Sequence, residues 1–335
     1  MKILLNCHLP FALAHGGQQT QIEGTLAGLQ AIGVEVEPLR WWDDRQTGDV
    51  IHHFGRMPSA QIQLAHRKGI RVVMAELLTG SGSRSPGQLR VQKMVSQTVK
   101  WLVPRSFTAS FNWDSYQLAD ALVANTSVEA HLMTFLFGAP SVRVHVVSNG
   151  VGDEFLQSAA APRGPWLLCT ATITERKRVL ELAQAAVLAK TPVWIIGRAY
   201  ADNDPYAGQF FAIARHHPDL VRYEGGINDR ARLAGIYRQA RGFVLLSTKE
   251  TLSLSALEAA ACECPLLLSD LPWARCTFGE SAQYCAASQP TATAVRLREF
   301  YDQAPHIPPP PKPADWIQIG RDFKKVYETV LSTAW

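Results

Sequence analysis

The stretch Ser247–Asp270, STKETLSLSALEAAACECPLLLSD, sets two glutamates, Glu250 and Glu258, among small and apolar residues. Upstream, GFVLLS (242–247) reads as a strand, and downstream PLLLSD (265–270) reads as the next one. Between them LSALEAAAC is strong helix-forming material, which predicts a helix over 254–262 that opens by Ser253 or Leu254. Glu250 then lies in the loop off a strand's carboxyl end, where ligands bind in open parallel sheets. Were both residues on one helix, eight positions would turn ~800° and leave the carboxylates ~80° apart. Opening the helix between them keeps Glu250 above the helix mouth and puts Glu258 on its first or second turn. The free amides of residues 253–256 point at the same opening, a cradle for phosphate with an acceptor on either side for sugar hydroxyls. A phosphate alone disfavours two acidic neighbours. A sugar nucleotide uses both.

Working outward, the same alternation runs through the chain. KILLNC (2–7), VEVEPL (34–39), DVIHHF (49–54), IRVVMAEL (70–77), ADALVANT (119–126) and VRVHVVSNG (142–150) read as strands. A glycine turn and amphipathic helix (15–33), helices over 58–68, 88–100 and 127–138, and a flexible loop over 79–87 lie between them. The periodicity breaks at LQSAAAPRGP (156–165), read as a linker, then restarts with strands at 166–172, 192–197 and 221–225 and helices over 176–189, 205–216 and 229–239. A helical stretch near 291–303 precedes the proline run PHIPPPPKP (305–313), which fits neither a helix interior nor a central strand. The last helix repeats apolar residues at Trp316, Ile319, Phe323, Val326, Tyr327 and Leu331, a stripe that must dock on something. The fold class is α/β: two parallel-sheet domains, 1–157 and 164–304, facing each other across a cleft, followed by the terminal segment 314–335.

Composition narrows the function classes. The chain has 335 residues, 47% hydrophobic and 19% charged, with a net charge of +4. That balance suits an anionic ligand or a weak attraction to anionic surfaces, so peripheral membrane contact stays open; the scattered charges form no nucleic-acid stripe. No run approaches the length of a membrane span, and the start of the chain reads as a first strand rather than a signal peptide. The six cysteines form neither a disulfide scaffold nor the paired spacing of a zinc site, which argues for a cytoplasmic protein with no metal. HGGQQT lacks the glycine spacing of a dinucleotide loop. Trp41, Trp42 and Trp113 lie near predicted loops, where their faces suit a carbohydrate or simple packing.

ETLSLSALEAAACECP, Glu250 to Pro265, resembles the mark of the retaining glycosyltransferases of family 4: a glutamate, then a second followed by Ala and a small-residue turn ending in Pro. HGGQQTQIEGTLAGLQAIGVEV, ADALVANTSVEAHL, VHVVSNGVGDEF, VWIIG and VRYEGGINDRARLAGIYRQARGFVLLS match the same family in order over nearly the whole chain. The resemblance implies the two-domain GT-B fold, with the last helix crossing back to the N-terminal, acceptor-side domain. It implies that Glu258 holds the nucleotide ribose, Glu250 sits beside the transferred sugar, and amides near Leu254 and Ser255 bind the diphosphate. Gly16 and Gly17 would approach phosphate or sugar from the first domain, Lys177 would neutralise the diphosphate, and Gly197 and Arg198 would border base or phosphate. The implied donor is a nucleotide-diphosphate sugar, a UDP-sugar favoured over a GDP-sugar, with no further cofactor. The acceptor is a carbohydrate or other hydroxyl. Transfer would proceed by front-face attack, with charge building on the leaving diphosphate.

Three departures stand out. Thr172 replaces the family's arginine, leaving Arg176, Arg178 or Arg198 to supply that charge; Thr251-Leu252-Ser253 replaces a glycine-rich turn; and Glu263-Cys264 displaces the glycine before Pro265. His8, His52 and His53 end strands in the first domain and are candidates for the position near the sugar that a family histidine occupies. A sugar-nucleotide epimerase of the same architecture, and an inactive sugar-nucleotide-binding or scaffold protein, are the alternatives.

Overall fold

A computed structural model describes residues 1–333 apart from 9–10, 12–15, 105–106, 108, 158–161, 202 and 287–288. The chain divides into two units, residues 1–150 with 316–335, and residues 151–315. Among the described residues each unit is built on one six-stranded parallel sheet flanked by helices.

In the first unit the strands are β1 (Lys2–Cys7), β2 (Glu35–Pro38), β3 (Val50–Phe54), β4 (Arg71–Ala75), β5 (Ala121–Ala124) and β6 (Val144–Val146), in the order β2-β1-β3-β4-β5-β6. Every residue of β3 and β4 is buried, as expected of central parallel strands covered on both faces. The helices are α1 (Gly17–Ala31), α2 (Ser59–Arg67), α3 (Thr79–Gly82), α4 (Pro86–Leu102), α5 (Ser115–Leu118), α6 (Ser127–Phe137) and the terminal helix, labelled α14 below.

Residues 79–87 are not simply loop. Thr79–Gly82 forms one helical turn, and Ser85 starts α4 with a capping box: its hydroxyl accepts from the Gln88 amide while the Gln88 side chain accepts from the Ser85 amide. The S-x-x-Q spacing carries that start signal. The strand expected over 142–150 is also shorter, because Ser141–Arg143 turns as a 3₁₀ helix and only Val144–Val146 pairs with β5.

The second unit orders its strands β12-β11-β10-β7-β8-β9. They are β7 (Leu167–Thr170), β8 (Val193–Ile196), β9 (Val221–Glu224), β10 (Gly242–Leu245), β11 (Leu266–Ser269) and β12 (Gln283–Cys285). Its helices are α7 (Asp153–Leu156), α8 (Val179–Ala189), α9 (Pro205–His216), α10 (Arg230–Gln239), α11 (Leu254–Ala261), α12 (Pro272–Phe278) and α13 (Pro290–Gln303). Neither β12 nor α12 stands out in the sequence: Gln-Tyr-Cys is too short to show alternation. The unit boundary falls at Gly150 rather than 157, because Phe155 on α7 is fully buried in the second unit's core beside Tyr237 and Ala260. Of the linker expected over 156–165, residues 158–161 lie outside the described residues.

α14 (Trp316–Ser332) belongs to the first unit and buries Ile319, Gly320, Phe323, Val326, Tyr327 and Val330. Leu331, expected on that face, is 39% exposed. At 100° per residue Val330 returns to within ~20° of Ile319, whereas Leu331 is ~120° away.

Candidate functional site

In the second sheet β7 lies between β10 and β8, so the chain reverses its direction of strand addition between β7 and β10. Ligands of open parallel sheets bind outside the carboxyl ends of strands at such a switch point. Both strands end there in the segments singled out from the sequence, Thr170–Arg178 after β7 and Ser247–Ser253 after β10.

Helix α8 does not begin at 176. Glu175–Lys177 forms a 3₁₀ turn and Arg178 takes a left-handed conformation (φ 54°), so Lys177 projects from a loop rather than from a helix. The loop is tied to the one after β10: the Thr248 amide donates to the Arg176 carbonyl at 2.8 Å, and Arg176 Nη1 donates to the Lys249 carbonyl at 3.1 Å. Lys177 Nζ thereby reaches Glu250 Oε2 at 2.6 Å, and Arg176 Nη1 reaches the same oxygen at 3.2 Å. Lys177 and Glu250 are largely buried, each with 12% of the side chain exposed, which keeps this pair less screened than a surface ion pair. Of the arginines considered in place of Thr172, Arg176 is the one on Glu250. Arg198 is exposed and donates to the Gly226 carbonyl instead.

Helix α11 opens between the two glutamates. Ser253 caps it, its hydroxyl accepting from the Ala256 amide at 3.4 Å, which leaves the amides of Leu254 and Ser255 at the mouth. Ser247 Oγ and Thr174 Oγ1, in the two loops that carry Glu250 and Lys177, are buried with no hydrogen-bond partner among the described residues.

Glu258, on the second turn, is buried and accepts a hydrogen bond at each oxygen. Arg230 Nη2 donates to its Oε1 at 2.8 Å and the Tyr237 hydroxyl donates to its Oε2 at 3.1 Å. Burial raises the Glu258 pKa, and these two donors work against that rise. Tyr237 also bonds Thr170 at the end of β7, while Arg230 bonds Glu154 at 3.2 Å and lies 4.6 Å over the Phe155 ring. Each carboxylate oxygen retains a lone pair for one further donor. Arg230 and Tyr237 were not expected from the sequence. Their signal is a seven-residue spacing in NDRARLAGIYRQA, two helical turns that put both on one face of α10.

Gly197 directly follows β8 with φ +157°, and a Cβ there would lie 1.8 Å from the Ala171 carbonyl oxygen. No other residue fits so close an approach to the chain leaving β7.

Gly16 and Gly17 belong to the first unit, at the start of α1; both are exposed, and Gly16 (φ +138°, ψ −155°) has a conformation restricted to glycine. The three histidines differ. His52 lies under the terminal helix, its Nδ1 2.7 Å from the Tyr327 hydroxyl and its ring against Phe323. His53 joins Asn6 and His8 at 3.0 Å each, where β1 and β3 end. Burial pushes the pKa of both His52 and His53 down to about 3, so each ring is neutral. Among the described residues no cluster of His, Cys, Asp or Glu is placed to hold a metal ion.

Comparison with known proteins shows what part of this chain resembles. Residues 164–303 match the family model described as glycosyl transferases group 1. A D-inositol 3-phosphate glycosyltransferase of Actinosynnema mirum is 31% identical over 173 residues, 44% of this chain and 40% of the relative. One from Nocardiopsis dassonvillei is 32% identical over 170 residues, 44% of this chain and 39% of the relative. The chain thus spans about two fifths of the length of these curated relatives. Among solved structures, Anabaena HepE in complex with UDP aligns over 98% of this chain and 100% of its own, with a TM-score of 0.67 and 13% identity. A glycosyltransferase of Rickettsia africae aligns over 99% of both chains, with a TM-score of 0.68 and 11% identity. At such identities the likeness bears on the fold, which is GT-B. The segment 164–303, which carries Lys177, Glu250 and Glu258, is the part that matches the glycosyl transferases group 1 model.

Proposed function

We propose that the protein transfers a sugar from a nucleotide-diphosphate sugar to a hydroxyl acceptor with retention of anomeric configuration. The observation that carries this reading is the Lys177–Glu250 contact of 2.6 Å beside the open amides of α11, at the switch point of a sheet whose segment matches glycosyl transferases group 1. A cation, a helix mouth and a carboxylate converging there suit a diphosphate joined to a sugar. Lys177 and Arg176 bind the diphosphate together with the Leu254 and Ser255 amides. Glu250, released from part of its ion pair when the anion arrives, accepts from the sugar hydroxyls. Glu258, held rigid by Arg230 and Tyr237, accepts from the ribose, and Gly197 and Arg198 border the base or phosphate.

Catalysis on this reading is stabilisation of the charge that grows on the leaving diphosphate. Attack comes from the same face, and a phosphate oxygen accepts the acceptor's proton as the C–O bond to the leaving group breaks. UDP is the favoured nucleotide: HepE, similar in fold, was crystallised with UDP and with UDP-glucose. Six cysteines without the spacing of a disulfide scaffold fit a reducing, cytoplasmic setting. Calorimetry with UDP, GDP and ADP tests the donor site, with at least one diphosphate expected to bind more tightly than its monophosphate. Binding of none sinks the reading. Slow hydrolysis of the matching nucleotide sugar separates an enzyme from a binder, which would show none.

A further inference from the structure

Between Glu76 and Asp114 the chain holds no acidic residue, but it holds Arg84, Arg90, Lys93, Lys100 and Arg105. Nearly half of this segment is α4, a 17-residue helix with no buried residue. A surface helix ordinarily turns its apolar stripe inward. Here Val91, Met94, Val95, Trp101 and Leu102 are 55%, 61%, 52%, 83% and 64% exposed. At 100° per residue these five fall within a sector of about 120°, with no charged residue inside it. The stripe faces out. Phe107 and Phe111, 71% and 51% exposed, extend it beyond the helix.

Beside the stripe runs a groove of about 850 Å³, lined by Val91, Val95, Val99, Phe111, Trp113 and Leu136. Arg90 lies about 20° outside one edge of the apolar sector, whereas Lys93 and Lys100 are on the opposite side of α4. Lys93 Nζ lies 4.2 Å from the centre of the Phe135 ring and Lys100 Nζ lies 5.4 Å from that of Trp113.

We propose that this outward face of α4 and the aromatic segment after it dock on an anionic lipid bilayer. An apolar stripe with Trp at its end, bordered by Arg90, free of carboxylates and set in a segment whose charges are all positive, matches the interface between headgroups and acyl chains. A nucleic acid would use the cations but gains nothing from a Val-Met-Leu stripe. A protein partner would have to be acidic around an apolar patch, a narrower requirement than an anionic bilayer imposes. The surface lies wholly within the first unit, and the proposal stands or falls apart from the donor-site reading.

Flotation of the full chain with phosphatidylcholine vesicles, with and without phosphatidylglycerol, tests it. The chain should float with the anionic vesicles and much less with the neutral ones. A Lys or Arg near the surface is worth about a fivefold gain in partition, so Arg90→Gln should lose about fivefold. Trp101→Ser with Leu102→Ser should lose more than tenfold. These side chains are exposed, so the variants keep the fold. As an independent measure, brominated lipid should quench a fluorescence component that disappears in Trp101→Phe. Equal flotation on both vesicle types, no flotation, or variants that float like the parent would overturn the proposal. So would concentration-dependent dimerisation that the Trp101 and Leu102 substitutions abolish, since the face would then be covered by a second copy.

Discussion

Gly28→Ala probes how the first unit holds its terminal helix. Gly24 and Gly28 lie one turn apart on α1 and face α14. A Cβ on Gly28 would lie 2.0 Å from the Trp316 carbonyl oxygen, and one on Gly320 would lie 2.6 Å from the Gly28 carbonyl. Ordinary contact is ~3.5 Å, so α14 must retreat by roughly 1.5 Å. Both obstructing groups are backbone, and no rotamer change relieves them. Overpacking of this kind costs ~1–3 kcal/mol, while alanine gains ~1 kcal/mol over glycine in a helix interior. Releasing the helix entirely would expose Ile319, Phe323, Val326, Tyr327 and Val330, each contributing ~1.5–3 kcal/mol when buried, so the helix shifts and stays docked. The clash is severe enough to take the upper part of the range. The expected net loss is ~2 kcal/mol, read from urea unfolding of the first unit, with faster amide exchange along α14. Gly235→Ala, on α10 of the second unit, is the control: nothing lies within 4 Å of its added Cβ, and it should gain ~0.5–1 kcal/mol in the unfolding of that unit. If Gly28→Ala is stabilised like Gly235→Ala, the close crossing of α1 and α14 is wrong.

At the candidate site, Lys177→Ala should slow transfer by several-fold to a few hundred-fold, ~1.4 kcal/mol for each factor of ten; unchanged turnover would place the diphosphate charge elsewhere. Glu258→Ala should weaken nucleotide binding more than Glu250→Ala does, and Glu250→Ala should lower turnover more than affinity. Equal losses of affinity, with no separate effect on rate, would refute that division. Acidification should destabilise the first unit, because His52 and His53, neutral in the fold with pKa values of about 3, take up protons on unfolding. The unfolded rings titrate near ~6.5, so stability present above that pH is lost as pH falls towards 3, by up to ~1.4 kcal/mol per pH unit for each ring. Urea midpoints across this range should fall more gently in His52→Gln; identical slopes in variant and parent would show that His52 does not stay neutral in the fold.

Local patterning made much of the fold legible. Short apolar runs alternating with helical stretches mark parallel sheets, and LSALEAAAC after Ser253 marks both the start of α11 and the separation of Glu250 from Glu258. Those features depend on neighbours in sequence: propensity, capping and the 3.6-residue period. The apolar stripe of α14 likewise showed that the helix must dock, but not that Gly24 and Gly28 provide its bed. The site itself needed the tertiary structure. Lys177 and Glu250 are 73 residues apart and meet because β7 and β10 are neighbours in the sheet. Parallel strands are joined by crossovers that can add the next strand on either side, so strand order is invisible to local pattern. Arg230 and Tyr237 share a helical face that the sequence does show, yet only the packing of α10 against α11 turns that face to Glu258 and makes an otherwise ordinary helix glutamate a buried, twice-bonded carboxylate.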